Sequence, residues 1–136
     1  MDIKYVVIIQ CDLTHRRCSG IACTDAFYKR EGMFEKYEED IRYISFTCGG
    51  CCGKSLAAKL EQFAKKSKMF NDLNKGNVFI HLSSCIVTDN HHSDRCPHVD
   101  YIKNIILKKG YKNIVEKSYI YGNTQNKREK GIYKSY

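Results

Sequence analysis

The sequence predicts an α/β fold, a small three-layer sandwich around a mostly parallel four-stranded sheet. Three observations carry that prediction. Strand-like runs alternate with segments of helical spacing along the 136 residues. The first run holds Val6, Val7, Ile8 and Ile9 without interruption, as expected of a strand covered on both faces. Three runs close on a cysteine, at Cys11, Cys48 and Cys85. In a parallel sheet alternating with helices, the strands deliver their C-terminal ends to one edge, where such folds bind ligands.

The elements follow in order. Residues 4–10 form the first strand. Residues 11–20 (Cys-Asp-Leu-Thr-His-Arg-Arg-Cys-Ser-Gly) are a polar loop. A helix over 21–31 follows from Ile21, Ala22, Ala26 and Phe27, with Gly32 as its stop. The acidic stretch 34–40 reads as a short helical turn at most. The second strand covers 41–47 and reads, like the first, as buried. Cys48-Gly49-Gly50-Cys51-Cys52-Gly53 is a tight loop. The helix over 54–68 shows its buried face in Leu56, Ala57, Leu60, Phe63 and Ala64. Gly76 and Asn77 break the chain before the third strand, 78–83. Residues 84–96 show no regular element and hold Cys85, His91, His92 and Cys96. Pro97, the one proline, suits the first turn of a helix, where its missing N–H costs nothing. That helix runs to Lys109 and Gly110 ends it. The fourth strand is expected over 113–120.

Residues 1–121 therefore read as one domain, with 122–136 as a basic tail and no internal repeat. Parallel strands need crossovers, and these are right-handed. The economical arrangement is a flavodoxin-like or Rossmann-like strand order, 2-1-3-4. Strand 1 then lies between strands 2 and 3, each about 4.8 Å away, and Cys11 flanks both Cys48 and Cys85.

A domain of this size folds without covalent staples. The start, Met1-Asp2-Ile3-Lys4, leads straight into a strand-like run with no signal-peptide pattern. No apolar stretch approaches the ~20 residues of a membrane span. A cytoplasmic protein is the expectation, and there an even set of eight cysteines points to metal or catalysis instead of disulfides. The net charge of +8 is uneven: +1 over residues 1–102 and +7 over 103–136. No aromatic-basic motif accompanies the excess, which argues against nucleic acid. The tail is instead a candidate contact for a protein partner.

Cys48-Gly49-Gly50-Cys51 is a C-x-x-C on a strand-to-helix turn. Two glycines allow a backbone path that turns both sulfurs toward one point. The helix start behind them favours thiolate, the form that binds metal and the form that attacks disulfides. The company of the motif favours metal. Zinc takes four ligands, sulfur or imidazole. The strand ends offer Cys11, Cys48, Cys51 and Cys85, and the start of the last helix adds Cys96 and His98. Cys18 and Cys23, at the entry to the first helix, are weaker candidates. The set exceeds four, so two sites, an iron–sulfur cluster, or one zinc site with spare thiols all satisfy it. The enzymatic alternative is a thiol–disulfide oxidoreductase using Cys48 and Cys51. His81, inside the third strand, reads as a satisfied core histidine; His15, His91 and His92 read as solvent-exposed; Cys52 stays open between ligand and core filler. Gly53-Lys54-Ser55 ends like a phosphate loop, but the glycine required five residues before Gly53 is Cys48, so a nucleotide hydrolase is not expected.

The motif and its spacing resemble the CGGC-domain family of small prokaryotic proteins over residues 4–108. The resemblance includes the strand ending in Cys11, the Cys18 and Cys23 pair, Gly32-Met33-Phe34, Leu82-Ser83-Ser84-Cys85 and Cys96-Pro97-His98. It implies a metal-binding role, with zinc preferred, for Cys11, Cys48, Cys51, Cys85, Cys96 and His98, and less securely for Cys18 and Cys23. It implies no particular reaction. Cys52 departs from the family pattern, where proline is common, and the tail lies beyond the match.

Overall fold

A computed structural model of the chain describes residues 3–50, 53–71, 74–88 and 95–118. Strands β1 (Tyr5–Gln10), β2 (Arg42–Thr47), β3 (Val78–Leu82) and β4 (Ile114–Glu116) pair in the order β2-β1-β3-β4. Every pairing is parallel. The fold class and strand order expected from the sequence are those observed.

Side chains alternate across a strand, and the two faces of the sheet accordingly build two cores. Val7 and Ile9 of β1 join Val78, Ile80 and Leu82 of β3 on one face. Helices α2 (Lys54–Asn71) and α4 (Val99–Lys108) cover it, through Leu56, Leu60 and Phe63 from the first and Val99, Ile102 and Ile106 from the second. Val6 and Ile8 point the other way, into a cluster with Ala26 and Phe27 of α1 (Ile21–Lys29) and with Phe34, Tyr37 and Ile41. All four central residues of β1 are fully excluded from solvent, each worth roughly 1.5–3 kcal/mol of apolar burial.

The structure corrects several boundaries. Helix α1 ends at Lys29, before the glycine expected to stop it, because Arg30 takes the left-handed conformation at φ +55° and returns its N–H to the carbonyls of Ala26 and Phe27. Gly32 opens a 3-10 turn, Gly32–Phe34, that drops Phe34 into the core. Strand β2 is not a buried strand. It is the sheet edge, and none of its six residues is fully covered. Helix α2 runs to Asn71, one turn further than its apolar spacing indicated. Residues 84–96 hold one turn of helix, α3 (Ser84–Val87), which buries Ile86 and Val87. Helix α4 starts at Val99 with His98 as its N-cap, so Pro97 stands just outside it. Strand β4 pairs over three residues only. It stops where Lys117 turns at φ +81°. Residues 119 and 120 of the expected strand, Cys51, Cys52, His91, His92 and the tail lie outside the described residues.

The histidine inside β3 has its partners. His81 Nδ1 stands 3.0 Å from the Lys117 carbonyl and Nε2 2.6 Å from the Tyr37 hydroxyl. A carbonyl only accepts, so Nδ1 carries the proton and Tyr37 donates to Nε2. This pair ties the turn after β4 to the loop before β2.

Candidate metal centre

The sheet delivers its cysteines to one rim. Cys11 follows β1 directly, and its neighbour in register, Cys48, follows β2, with the Cys48 N–H still bonded to the Gln10 carbonyl at 2.9 Å. The end of β2 is pinned from two sides: the Thr47 hydroxyl donates to Asp12 at 2.9 Å, and Lys59 of α2 donates to the Thr47 carbonyl at 3.0 Å. Cys85 follows β3 on the first turn of α3. The Ser83 N–H bonded to the Ile9 carbonyl at 2.9 Å holds that turn beside β1. Cys96 is brought in by its N–H, 2.8 Å from the Ile86 carbonyl. Cys11, Cys48, Cys85 and Cys96 all pack against the same core, the one under α2 and α4.

Within that rim the donors fall into two groups. The backbone N–H of Cys11 points at Cys85 Sγ at 3.5 Å, and the Ser83 hydroxyl is 2.8 Å from the same sulfur. Burial pushes the Cys85 thiol up to about 11, against the opposing pull of Ser83 and the Cys11 amide. Left to itself Cys85 is a thiol at neutral pH; a bound cation would reverse that, since a coordinating thiol loses its proton outright. Cys23 stands next to this group, its sulfur 3.2 Å from the Ser118 hydroxyl. Ser118 is itself locked by reciprocal bonds with Ser84: the Ser84 N–H reaches Ser118 Oγ at 3.3 Å and the Ser118 N–H reaches Ser84 Oγ at 3.2 Å.

The second group is Cys48, Cys96 and His98. With Gly50, Gly53 and Tyr101 they line a cavity of about 20 Å³ between the starts of α2 and α4, room for about one water molecule. The glycine path of the turn makes that approach. Gly49 sits at φ +71°, and a Cβ there would meet Ser55 Cβ and Oγ at 2.3 Å. Cys18 is not brought to either group by a described contact. Its sulfur accepts the Gly20 N–H at 3.4 Å within its own loop.

Among the described residues, no three thiol, imidazole or carboxylate groups stand close enough to hold an ion, and no disulfide joins the six described cysteines to one another. The donor chemistry nonetheless suits zinc, which takes sulfur and imidazole: Cys48, Cys96 and His98 come from separate stretches of chain and line one small space beside Leu56, Ile102 and Ile105. Sequence reading missed Ser83, Ser84 and Ser118, the hydroxyls that touch or position the sulfurs. The Ser83-Ser84 doublet before Cys85 was a visible signal; Ser118 had none, because its place depends on the turn at Lys117.

No helix among the described residues is long and apolar enough to cross a membrane. The chain is 28% identical over 102 residues to the uncharacterized protein MJ0582 of Methanocaldococcus jannaschii, a match covering 71% of this chain and 70% of that protein. No solved structure matches the chain significantly. The model of the CGGC domain matches residues 5–119, which takes in all four strands and the whole cysteine rim: the chain belongs to the CGGC domain family.

Proposed function

We propose that this protein binds zinc at the C-terminal edge of its sheet, through ligands drawn from Cys11, Cys48, Cys51, Cys85, Cys96 and His98. The observation that carries the proposal is the packing of Cys11, Cys48, Cys85 and Cys96, from four separate stretches of chain, against one end of one core. Buried thiols scattered as small hydrophobes have no reason to gather so. Cys48, Cys96 and His98 already share a cavity, and Cys51 follows Cys48 in sequence by the spacing of a ligand pair. Bound zinc would act as a Lewis acid or as a structural tie. The chain's own contribution is the pinned end of β2, the glycine turn and the hydroxyls that orient Cys85. Such a site suits a reducing, cytoplasmic setting. Residues 122–136 are then a charged contact for a protein partner.

Elemental analysis of untagged protein, purified under reducing conditions without added metal, tests this directly. Stoichiometric zinc, with thiols shielded from alkylation until a chelator is added, is expected. Serine in place of Cys48 or Cys96 should lower zinc affinity at least tenfold. Metal-free protein whose thiols all alkylate at once would end the proposal, and iron with acid-labile sulfide would replace zinc by a cluster.

A further inference from the structure

We propose that Cys11 and Cys85 are a redox pair, closing to an intramolecular disulfide by exchange with a low-molecular-weight disulfide such as oxidised glutathione.

The Cys11 backbone and the Cys85 sulfur are in direct contact. Parallel neighbours β1 and β3 place Cys11 and the start of α3 side by side, with the Ser83 N–H on the Ile9 carbonyl holding the two strand ends together. The Cys11 amide nitrogen is 3.5 Å from Cys85 Sγ. One N–Cα bond further on, the Cys11 Cα lies within about 5 Å of that sulfur. With the Cys11 backbone already this near the Cys85 sulfur, rotation of the Cys11 side chain toward it is the movement that closes the bond. Two hydrogen-bonding groups, the Ser83 hydroxyl and the Cys11 amide, converge on Cys85 Sγ and would support negative charge there as exchange proceeds. Cys48 faces a different neighbourhood, the cavity it shares with Cys96 and His98.

The exchange runs in two displacements. A thiolate of the pair attacks one sulfur of the small disulfide; that S–S bond breaks and one small thiolate leaves. The second protein sulfur then attacks the protein sulfur of the mixed disulfide and expels the other small thiolate. The two protons given up by the protein thiols end on the two leaving thiolates. The protein is oxidised by two electrons and the small disulfide is reduced by two. The pair itself stands without the zinc reading; its consequence, that oxidation withdraws two ligands and weakens zinc binding, rests on it.

The test uses the full chain, reduced, with and without chelator, equilibrated with oxidised and reduced glutathione, then alkylated, digested and mapped by mass spectrometry. The expected product is the Cys11 peptide joined to the Cys85 peptide, lighter by two hydrogens than their sum. In Cys85→Ala, Cys11 should stop at the glutathione mixed disulfide. A dominant link between other cysteines, or chelator-treated protein in which Cys11 and Cys85 both remain open to alkylation, would overturn the pair. Zinc is measured in the same reduced samples. Protein without zinc that forms the 11–85 link defeats the metal reading alone, and zinc-bearing protein that forms no such link after chelation defeats the pair alone.

Discussion

Alanine at Gly49 is expected to destabilise the fold by about 3 kcal/mol and, on the zinc proposal, to lower metal binding with it. Two costs add. The backbone at Gly49 is left-handed, φ +71°, which charges an L-residue roughly 1–2 kcal/mol. The new Cβ would also lie 2.3 Å from both Cβ and Oγ of Ser55, on the second residue of α2. The Ser55 Oγ can rotate aside, but its Cβ is set by the helix backbone and cannot, and overpacking of this kind costs roughly 1–3 kcal/mol. The two parts separate by a second substitution. Ser55→Gly removes both clashing atoms and leaves the Ser55 Cα at 3.7 Å, an ordinary contact. The double variant should therefore recover the packing cost and keep the conformational one. Gly50→Ala is the comparison with open space, as nothing lies within 4 Å of its Cβ position. Urea denaturation of the three variants measures this. A Gly49→Ala protein within 1 kcal/mol of the parent would show that the turn relaxes, and that the first glycine of the motif is not there for want of room.

What the residue pattern disclosed and what it hid follow one physical division. Contacts between a strand and the helices that cover it are written in local periodicity. Val6, Val7, Ile8 and Ile9 announced a doubly covered strand, and Leu56, Leu60 and Phe63 announced the face of α2. Order 2-1-3-4 followed because right-handed crossovers leave few alternatives. The ends of elements were less legible, since they depend on partners remote in sequence. The run 41–47 reads as a buried strand, whereas the sheet leaves β2 at an edge, where Arg42 and Ile44 meet solvent. β4 was read too long because nothing in residues 113–120 marks the turn at Lys117. The site divides the same way. That Cys11, Cys48 and Cys85 share one rim was readable from topology. That Cys11 meets Cys85 while Cys48 meets Cys96 and His98 required the bends after each strand, set by Ser83, Thr47 with Asp12, and the Cys96 amide on Ile86. Tyr37, the partner of His81, lay in an acidic stretch with no periodicity to assign it.

On the acid side, a large pH effect on stability is expected from His81, between pH 6.5 and 4. Its ring is fully buried. Burial, with the nearby Lys36 charge adding to it and the Lys117 carbonyl opposing, lowers its pKa from 6.5 to about 4. In the unfolded chain the imidazole takes up a proton near 6.5; in the folded protein it stays neutral until about 4. Across that window the unfolded state binds more protons, so stability falls as the pH falls and levels off below 4. At 1.36 kcal/mol per unit the loss amounts to about 3 kcal/mol. A neutral ring is also what the geometry requires, because a proton on Nε2 would face the hydroxyl that now donates to it. Reduced protein in chelator, unfolded by urea at pH 7 and pH 4.5, isolates the effect from competition between protons and metal. His81→Asn should be less stable than the parent at pH 7, having lost the Tyr37 contact, yet should lose less stability on acidification. Tyr37→Phe leaves Nε2 without a donor in a dry site and should cost roughly 1–3 kcal/mol at pH 7. Parent and His81→Asn proteins that lost equal stability between the two pH values would show that His81 titrates as a solvated histidine does. The tie between β3 and the turn carrying Ser118 would then be weaker than its hydrogen bonds suggest.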